Sequence, residues 1–188
     1  MTDIDICNMA LRKLGADTIT ALTDNTKQAE ACNDMWNQVR KTVFSAYPWP
    51  SCVRRRTLRC SCECIPFGWN GTFPLPDDYI ALIDVYGVEP HGLAEFEIEG
   101  RSLLCNFNEV SLRYIYDNRD PDFYEPLLVD CLVLRLAAEM AYSLVGKEDV
   151  ENSMLQKYHM KLNEARTRIS RISTNEPTGI DTPIIERY

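Results

Sequence analysis

Four cysteines between residues 52 and 64 are the most unusual chemistry-bearing residues of the chain. The last three occupy every second position, and alternate residues of a β-strand project from the same face. A four-cysteine zinc site normally pairs ligands two to four residues apart on two chelating turns, which this spacing lacks. We therefore expect reduced thiols without metal, and a small cysteine-rich binding or metal-dependent module is the alternative. The four residues are Cys52, Cys60, Cys62 and Cys64.

Other residues capable of chemistry do not form a recognisable catalytic pattern. The two histidines, His91 and His159, have no cysteine or serine partner at a familiar spacing. The sequence contains no glycine-rich phosphate loop, zinc-binding His-Glu-x-x-His helix or nucleophile elbow. Asp77 and Asp78 follow Pro76, where aspartates commonly bond nearby backbone N–H groups in a turn. The sequence predicts no catalytic residues, no enzyme activity and no cofactor.

Charge is unevenly divided in the middle of the chain. Arg54, Arg55 and Arg56 form a basic run, whereas residues 71–100 contain no lysine or arginine. Within that stretch, acidic residues alternate with Phe96 and Ile98, so they should lie on the opposite face of a hairpin. The pattern is typical of a solvated face, and a channel-lining face is the functional alternative. The acidic residues in question are Glu95, Glu97 and Glu99.

The overall composition limits the classes of function. The 188 residues are enough for one domain with one core, and 20 basic against 28 acidic residues give a net charge of −8. This balance argues against a protein that grips nucleic acid by neutralising phosphates. Because the first residues carry acidic side chains and no apolar run, we expect no secretory signal, a cytoplasmic site of synthesis and reduced cysteines. Cys7, Cys32 and Cys131 lie at apolar helical positions and should belong to the core.

Apolar residues recur with helical spacing in four segments, two near each end of the chain. The last segment has an apolar face from Val150 to Ile172, and the one before it is apolar on most sides, which predicts a central core helix. Asp122 with Glu125 fits a capping box at the start of that central helix, and Gly146 offers a left-handed stop. The predicted helices cover residues 3–15, 25–47, 123–145 and 148–172.

The segment between the helical pairs has the character of β structure. Alternation at 59–64, 79–88, 95–105 and 111–116 predicts strands, including a hairpin that turns at Gly100. The predicted fold is therefore α+β and mainly α: an antiparallel bundle of four helices with a small antiparallel β module inserted at about residues 51–121. Residues 1–172 are expected to form one domain.

Residues 173–188 lack any periodic pattern. Prolines and a glycine oppose helix and sheet, while the apolar residues have no local face to bury. We expect an extended docking arm that becomes ordered on a partner. Its candidate partner-binding residues are Pro177, Ile180, Pro183, Ile184, Ile185 and Tyr188.

The order of several short motifs resembles one known family. The motifs are Ala10-Leu11-Arg12-Lys13-Leu14-Gly15, Tyr47-Pro48-Trp49-Pro50, Leu75-Pro76-Asp77-Asp78-Tyr79 and Leu112-Arg113-Tyr114-Ile115-Tyr116, followed by an alanine-rich helix. In this order they resemble the tail tubular protein A family, the head-to-tail adaptors of tailed bacteriophages. The similarity covers roughly residues 4–172, but the cysteine group and the arginine run do not belong to the family pattern.

The resemblance implies a structural role in a virion. Family members have a helical bundle with an inserted β module and form twelve-fold rings between the portal protein and the tail nozzle protein. The implied partners are therefore portal, nozzle and further copies of the chain, with DNA passing through unbound and no membrane involved. The implied location is the virion neck, assembled in the host cytoplasm. A net acidic ring suits this role because it would not hold DNA by counterion release.

Overall fold

The computed structural model describes residues 1–61, 67–87 and 95–173, with side chains through residue 168. This part of the chain forms four α-helices and six β-strands. The helices are α1 (Asp3–Leu14), α2 (Lys27–Ser45), α3 (Pro126–Val145) and α4 (Glu148–Ser173). The strands are β1 (Val53–Arg59), β2 (Gly71–Pro74), β3 (Tyr79–Gly87), β4 (Phe96–Glu99), β5 (Ser102–Cys105) and β6 (Glu109–Tyr116).

The helix ends are determined by local sequence. Thr2 and Asp5 form a capping box at the start of α1, and Gly15 ends this helix in the left-handed conformation with φ 70°. Gly146 ends α3 in the same way with φ 68°, as the sequence predicts. The predicted capping box at the start of α3 is wrong, because the Glu125 carboxylate instead accepts hydrogen bonds from the backbone N–H and the hydroxyl of Ser51, at 2.8 and 2.6 Å.

Helix α3 is the centre of the helical layer. The helices α1, α2 and α4 each pack extensively against α3, whereas α1 and α2 make few contacts with each other. Most of the α3 surface is buried, including Leu128, Leu132, Leu136 and Met140, which are all 0% exposed. The predicted central position of this helix is confirmed. The helices are therefore arranged around α3 and do not enclose a bundle core that all four share equally.

The strands form two antiparallel sheets of three strands each. Sheet A has the order β1-β6-β3 and sheet B has the order β2-β5-β4. In sheet A, Arg55 lies opposite Arg113 and Thr57 opposite Ser111. In sheet B, the β4–β5 hairpin turns at Gly100, whose φ is 57°. A left-handed turn of this kind favours glycine, and the predicted hairpin position is confirmed.

Sheet A separates two apolar cores. One core lies among the helices and includes Ile115 of β6. The second lies between the sheets and includes Leu112 and Tyr114 of β6 together with Phe73 and Leu103 of sheet B. Because successive side chains of a strand point to opposite faces, the end of β6 supplies both cores. The described chain therefore has three layers: helices, sheet A and sheet B.

The predicted fold class, a four-helix bundle with a small β insertion, is wrong. The protein is α+β, but helix makes up 50% and strand 24% of the structure, and the sheets have a core of their own. Two strands were missed in the sequence. Strand β1 contains consecutive arginines that conceal its alternation, and β2 has only four residues, beginning with Gly71 and ending with Pro74. Of the strand predicted at 59–64, Arg59 ends β1 and Ser61 forms an isolated bridge to Thr72, whereas residues 62–64 lie outside the described part of the chain.

Candidate functional site

The first residue of the arginine run, Arg54, is part of the fold. Its guanidinium forms an ion pair with Asp78 and lies over the ring of Tyr116, 3.8 Å from the centroid. The Tyr114 hydroxyl donates to the same Asp78 carboxylate at 3.0 Å. The predicted turn after Pro76 is present, closed by the Tyr79 N–H on the Pro76 carbonyl at 3.0 Å. The Asp78 side chain differs from the expectation, because it joins β1 and β6 through Arg54 and Tyr114 and not through a backbone N–H.

The next two residues of the run, Arg55 and Arg56, are exposed and have no ion-pair partner in the described ranges. Arg55 lies directly opposite Arg113 in the sheet. Arg113 pairs with Asp84 at 3.1 Å. One carboxylate thus faces two neighbouring guanidinium groups, and like charges placed opposite each other destabilise a sheet. This face of sheet A has an excess of positive charge.

Hydroxyl groups lie beside these arginines on the same face of sheet A. The Thr57 and Ser111 hydroxyl oxygens are 3.4 Å apart, and Tyr86 in the adjacent strand is 42% exposed. Together with Arg55 and Arg113 they line an open cleft of about 350 Å³. Guanidinium groups and hydroxyls are hydrogen-bond donors that suit carboxylate or phosphate oxygens. The cleft can therefore accept an anionic group.

The predicted acidic face lies on the outermost strand of sheet B. Glu95, Glu97 and Glu99 are all exposed and have no ion-pair partner among the described residues. Phe96 and Ile98 point to the opposite face, beside the core residues Cys105 and Leu103. They remain 40% and 37% exposed, so the expectation that this side buries them is wrong. Strand β4 thus presents acidic groups on one face and accessible apolar groups on the other.

The structure separates the clustered cysteines that it describes. Cys52 is 0% exposed in the helical core, whereas Cys60 packs against the core between the sheets. The whole length of β1 lies between them, which corresponds to roughly 25 Å at the usual rise of a strand. A zinc ion holds its sulfur ligands at about 2.3 Å, so one ion cannot bind both residues. Cys62 and Cys64 lie outside the described residues.

We expect no bound zinc in elemental analysis of the purified protein, and slow alkylation of Cys52. Burial raises the pKa of Cys52 to about 12, so at pH 8 about one thiol in ten thousand is the reactive thiolate. Iodoacetamide followed by peptide mass spectrometry should modify the partly exposed Cys60 in the native protein and Cys52 only in denaturant. One tightly held zinc per chain, lost together with the fold on chelation, would contradict this expectation.

The remaining sequence predictions have mixed outcomes. Cys7, Cys32 and Cys131 are 0% exposed in the helical core, as predicted. His159 is exposed beside Tyr158. His91 and the docking-arm residues lie outside the described part of the chain; those of the arm are Pro177, Ile180, Pro183, Ile184, Ile185 and Tyr188.

A buried ion pair was missed in the sequence. Arg40 of α2 lies 3.0 Å from the carboxylate of Asp117, just after β6, and the two side chains are only 3% and 9% exposed. Arg119 donates to the same carboxylate at 3.0 Å from the exterior. Arg40 stands among apolar residues of α2, such as Val39 and Val43, which was a detectable signal. The pair attaches the helical layer to the end of sheet A.

Comparison with known proteins adds no relative. No protein-family model matches the chain, and no curated protein matches it significantly. Within the described ranges, no helix has the length and apolar character needed to cross a membrane.

Proposed function

We propose that the chain is a structural head-to-tail adaptor of a tailed bacteriophage. It would form a ring between the portal and the tail nozzle, and DNA would pass through that ring. The role needs no catalytic residue, because an adaptor acts through its contacts with neighbouring proteins. Its partners would be portal, nozzle and further copies of the same chain.

The observation that carries this proposal is the contact between two of the motifs that resemble the adaptor family. Tyr79, which ends the Leu75–Tyr79 motif, stacks on Tyr114 of the Leu112–Tyr116 motif with ring centroids 6.0 Å apart. Asp78 of the first motif accepts the Tyr114 hydroxyl of the second. Motifs far apart in sequence therefore work as one structural unit. This contact supports the resemblance at the level of these two motifs, although the bundle with a small β insertion that the family implies is not the fold found.

The other motifs also occupy positions that determine the fold. Gly15 ends α1, and Trp49 lies between α2 and β1 with 1% exposure. The Trp49 indole N–H donates to the Val43 carbonyl at 2.9 Å, and its ring meets Tyr47 edge to face. These contacts fix the direction in which the chain leaves the helical layer. These positions support the resemblance, and the adaptor role would be carried by the exposed surfaces of the chain.

The assembly state should depend on the portal. A heterologous interface closes into a ring only when the rotation between neighbours is fixed, and a portal ring can fix that rotation. Light scattering of the isolated protein should give a monomer or small oligomer, and addition of portal should give rings. A chain denatured and left unfolded is the control for non-specific adsorption. Failure to bind any candidate portal would contradict the adaptor role, whereas closed rings without portal would show that templating is unnecessary.

The alternative, a metal-dependent module built on Cys52, Cys60, Cys62 and Cys64, has less support. The separation of Cys52 from Cys60 along β1 removes the four-cysteine site on which it depends. We therefore propose the adaptor role alone.

A further inference from the structure

Two strands with opposite charge lie at the outer positions of the two sheets. Strand β1 is at one end of sheet A, and β4 is at one end of sheet B. Within the described ranges, β4 has no partner on its second edge and β1 has none along Val53–Arg59. Just beyond β1, Ser61 forms a bridge to Thr72 of β2. An unpaired edge offers backbone N–H and C=O groups that another strand can bind. Among the described residues, the outer edges of Val53–Arg59 and of β4 are therefore open to a further strand.

We propose that β4 of one copy docks along β1 of a second copy, with the glutamates of β4 facing the arginine cleft of sheet A. The contact joins two different surfaces, so a pair of copies keeps one free β1 on the first copy and one free β4 on the second. Repetition of such a heterologous contact yields a ring when the rotation closes. The inference deepens the proposed adaptor function and rests on it for its biological setting.

The charges of the arginine cleft and of β4 are complementary, which favours a second copy of this chain as the molecule that binds in the cleft. Arg55 and Arg113 share one carboxylate, so the cleft has an unbalanced positive charge. Glu97 and Glu99 are exposed and unpaired among the described residues, and they stand two residues apart on one face of β4. Arg55 and Thr57 have the same spacing on β1. A strand that enters here can place carboxylates beside both the guanidinium groups and the hydroxyls.

The apolar faces of the two strands agree with the same arrangement. Side chains alternate with a period of two, so placing Glu97 and Glu99 on the Arg55 face puts Phe96 and Ile98 on the opposite face. That opposite face of β1 carries Leu58, which belongs to the core between the sheets, together with Arg54 and Arg56. Docking would thus extend this core and cover the exposed parts of Phe96 and Ile98. In the antiparallel register that places Glu99 beside Arg55 and Glu97 beside Thr57, Phe96 lies beside Leu58. Ile98 then lies beside Arg56, whose methylene stem can cover it.

The contact can be tested by zero-length cross-linking of the full chain. The variant Arg55→Lys keeps the positive charge and supplies an amine that carbodiimide can couple to a nearby carboxylate. Equal amounts of ¹⁴N- and ¹⁵N-labelled protein are mixed, so that a peptide pair with one light and one heavy half identifies a contact between copies. We expect mixed pairs that join position 55 to Glu97 or Glu99, with a lower yield at high salt because ions screen exposed charges.

The matched control is Arg54→Lys, one position along the same strand but on its other face. It should couple to Asp78 within its own chain and give no mixed pairs with Glu97 or Glu99 above background. A second pair of variants, Arg55→Glu and Glu97→Arg, tests complementarity by sedimentation. Each alone should lose self-association, and a mixture of the two should recover it as one-to-one complexes.

The outcomes separate this contact from the adaptor role. Mixed pairs from Arg55→Lys and none from Arg54→Lys, with recovery on mixing the reversed variants, would support the contact. Equal yields from both lysine variants, or no mixed pairs either in the isolated protein or in the rings formed on portal, would overturn the contact. Mixed pairs in a protein that binds no portal would retain the contact and reject the adaptor role.

Discussion

A truncated chain that ends at Ser173 should keep almost the same melting temperature but lose its attachment to portal or to the adjoining subunit. The removed residues contain Pro177, Gly179 and Pro183, which oppose regular structure, and several isoleucines without a local apolar face. Among the described side chains, the last contribution of α4 to the helical core is Ala165, well before the truncation. The stability should therefore come from residues that the truncation retains.

The control for this truncation is a full-length chain in which residues 174–188 are scrambled. It keeps the length and composition but changes the order of the apolar residues, so a docking arm with specific contacts should fail in the same way. Thermal unfolding and co-sedimentation with portal measure the two effects separately. Unfolding of the truncated protein would mean that the arm belongs to the subunit's own core, and normal assembly would mean that it is not the docking element.

The variant Asp117→Ala should destabilise the fold by about 3–5 kcal/mol, the usual effect of leaving one buried charge without its partner. Arg40 would lose the carboxylate at 3.0 Å while remaining almost fully enclosed. Its other side-chain hydrogen bond in the described structure is to Asn37, whose Oδ1 accepts from Arg40 at 3.3 Å. An amide oxygen does not balance a positive charge. Urea unfolding followed by circular dichroism measures the difference.

The matched control removes the other arginine from the same carboxylate. The Arg119 side chain is 75% exposed, and exposed ion pairs contribute about 0–1 kcal/mol, so Arg119→Ala should have little effect. The difference between the two variants isolates the consequence of burial. Equal destabilisation by both variants would contradict a special role for the Arg40–Asp117 pair.

The helices were predictable because their signals are local. The apolar period of α4 gave its face, and Met154, Tyr158 and Leu162 are buried as expected. Glycine ended α1 and α3 where the sequence indicated, since a left-handed residue is needed at these positions. The start of α3 was harder to predict, because Glu125 is used in a contact with Ser51, which is distant in sequence.

The sheets were only partly predictable because pairing between strands depends on distant residues. Alternation located β6 and the β4–β5 hairpin, but nothing local indicated that Arg55 lies opposite Arg113. Alternation along the sequence predicted that Glu97 is exposed. The cleft lined by Arg55 and Arg113 could not be predicted in this way, because it forms only when β1, β3 and β6 pair in register. The sequence therefore identified both charged segments without the geometry that makes them complementary.

The central claim is that this chain forms an adaptor ring on a portal, and electron microscopy of the two proteins together tests it most directly. Purified full-length chain is mixed with a candidate portal ring, and the particles are classified with and without added chain. We predict an additional closed ring on one end of the portal, coaxial with its channel. Portal particles that remain unchanged at saturating chain, across the candidate portals tested, would contradict the claim.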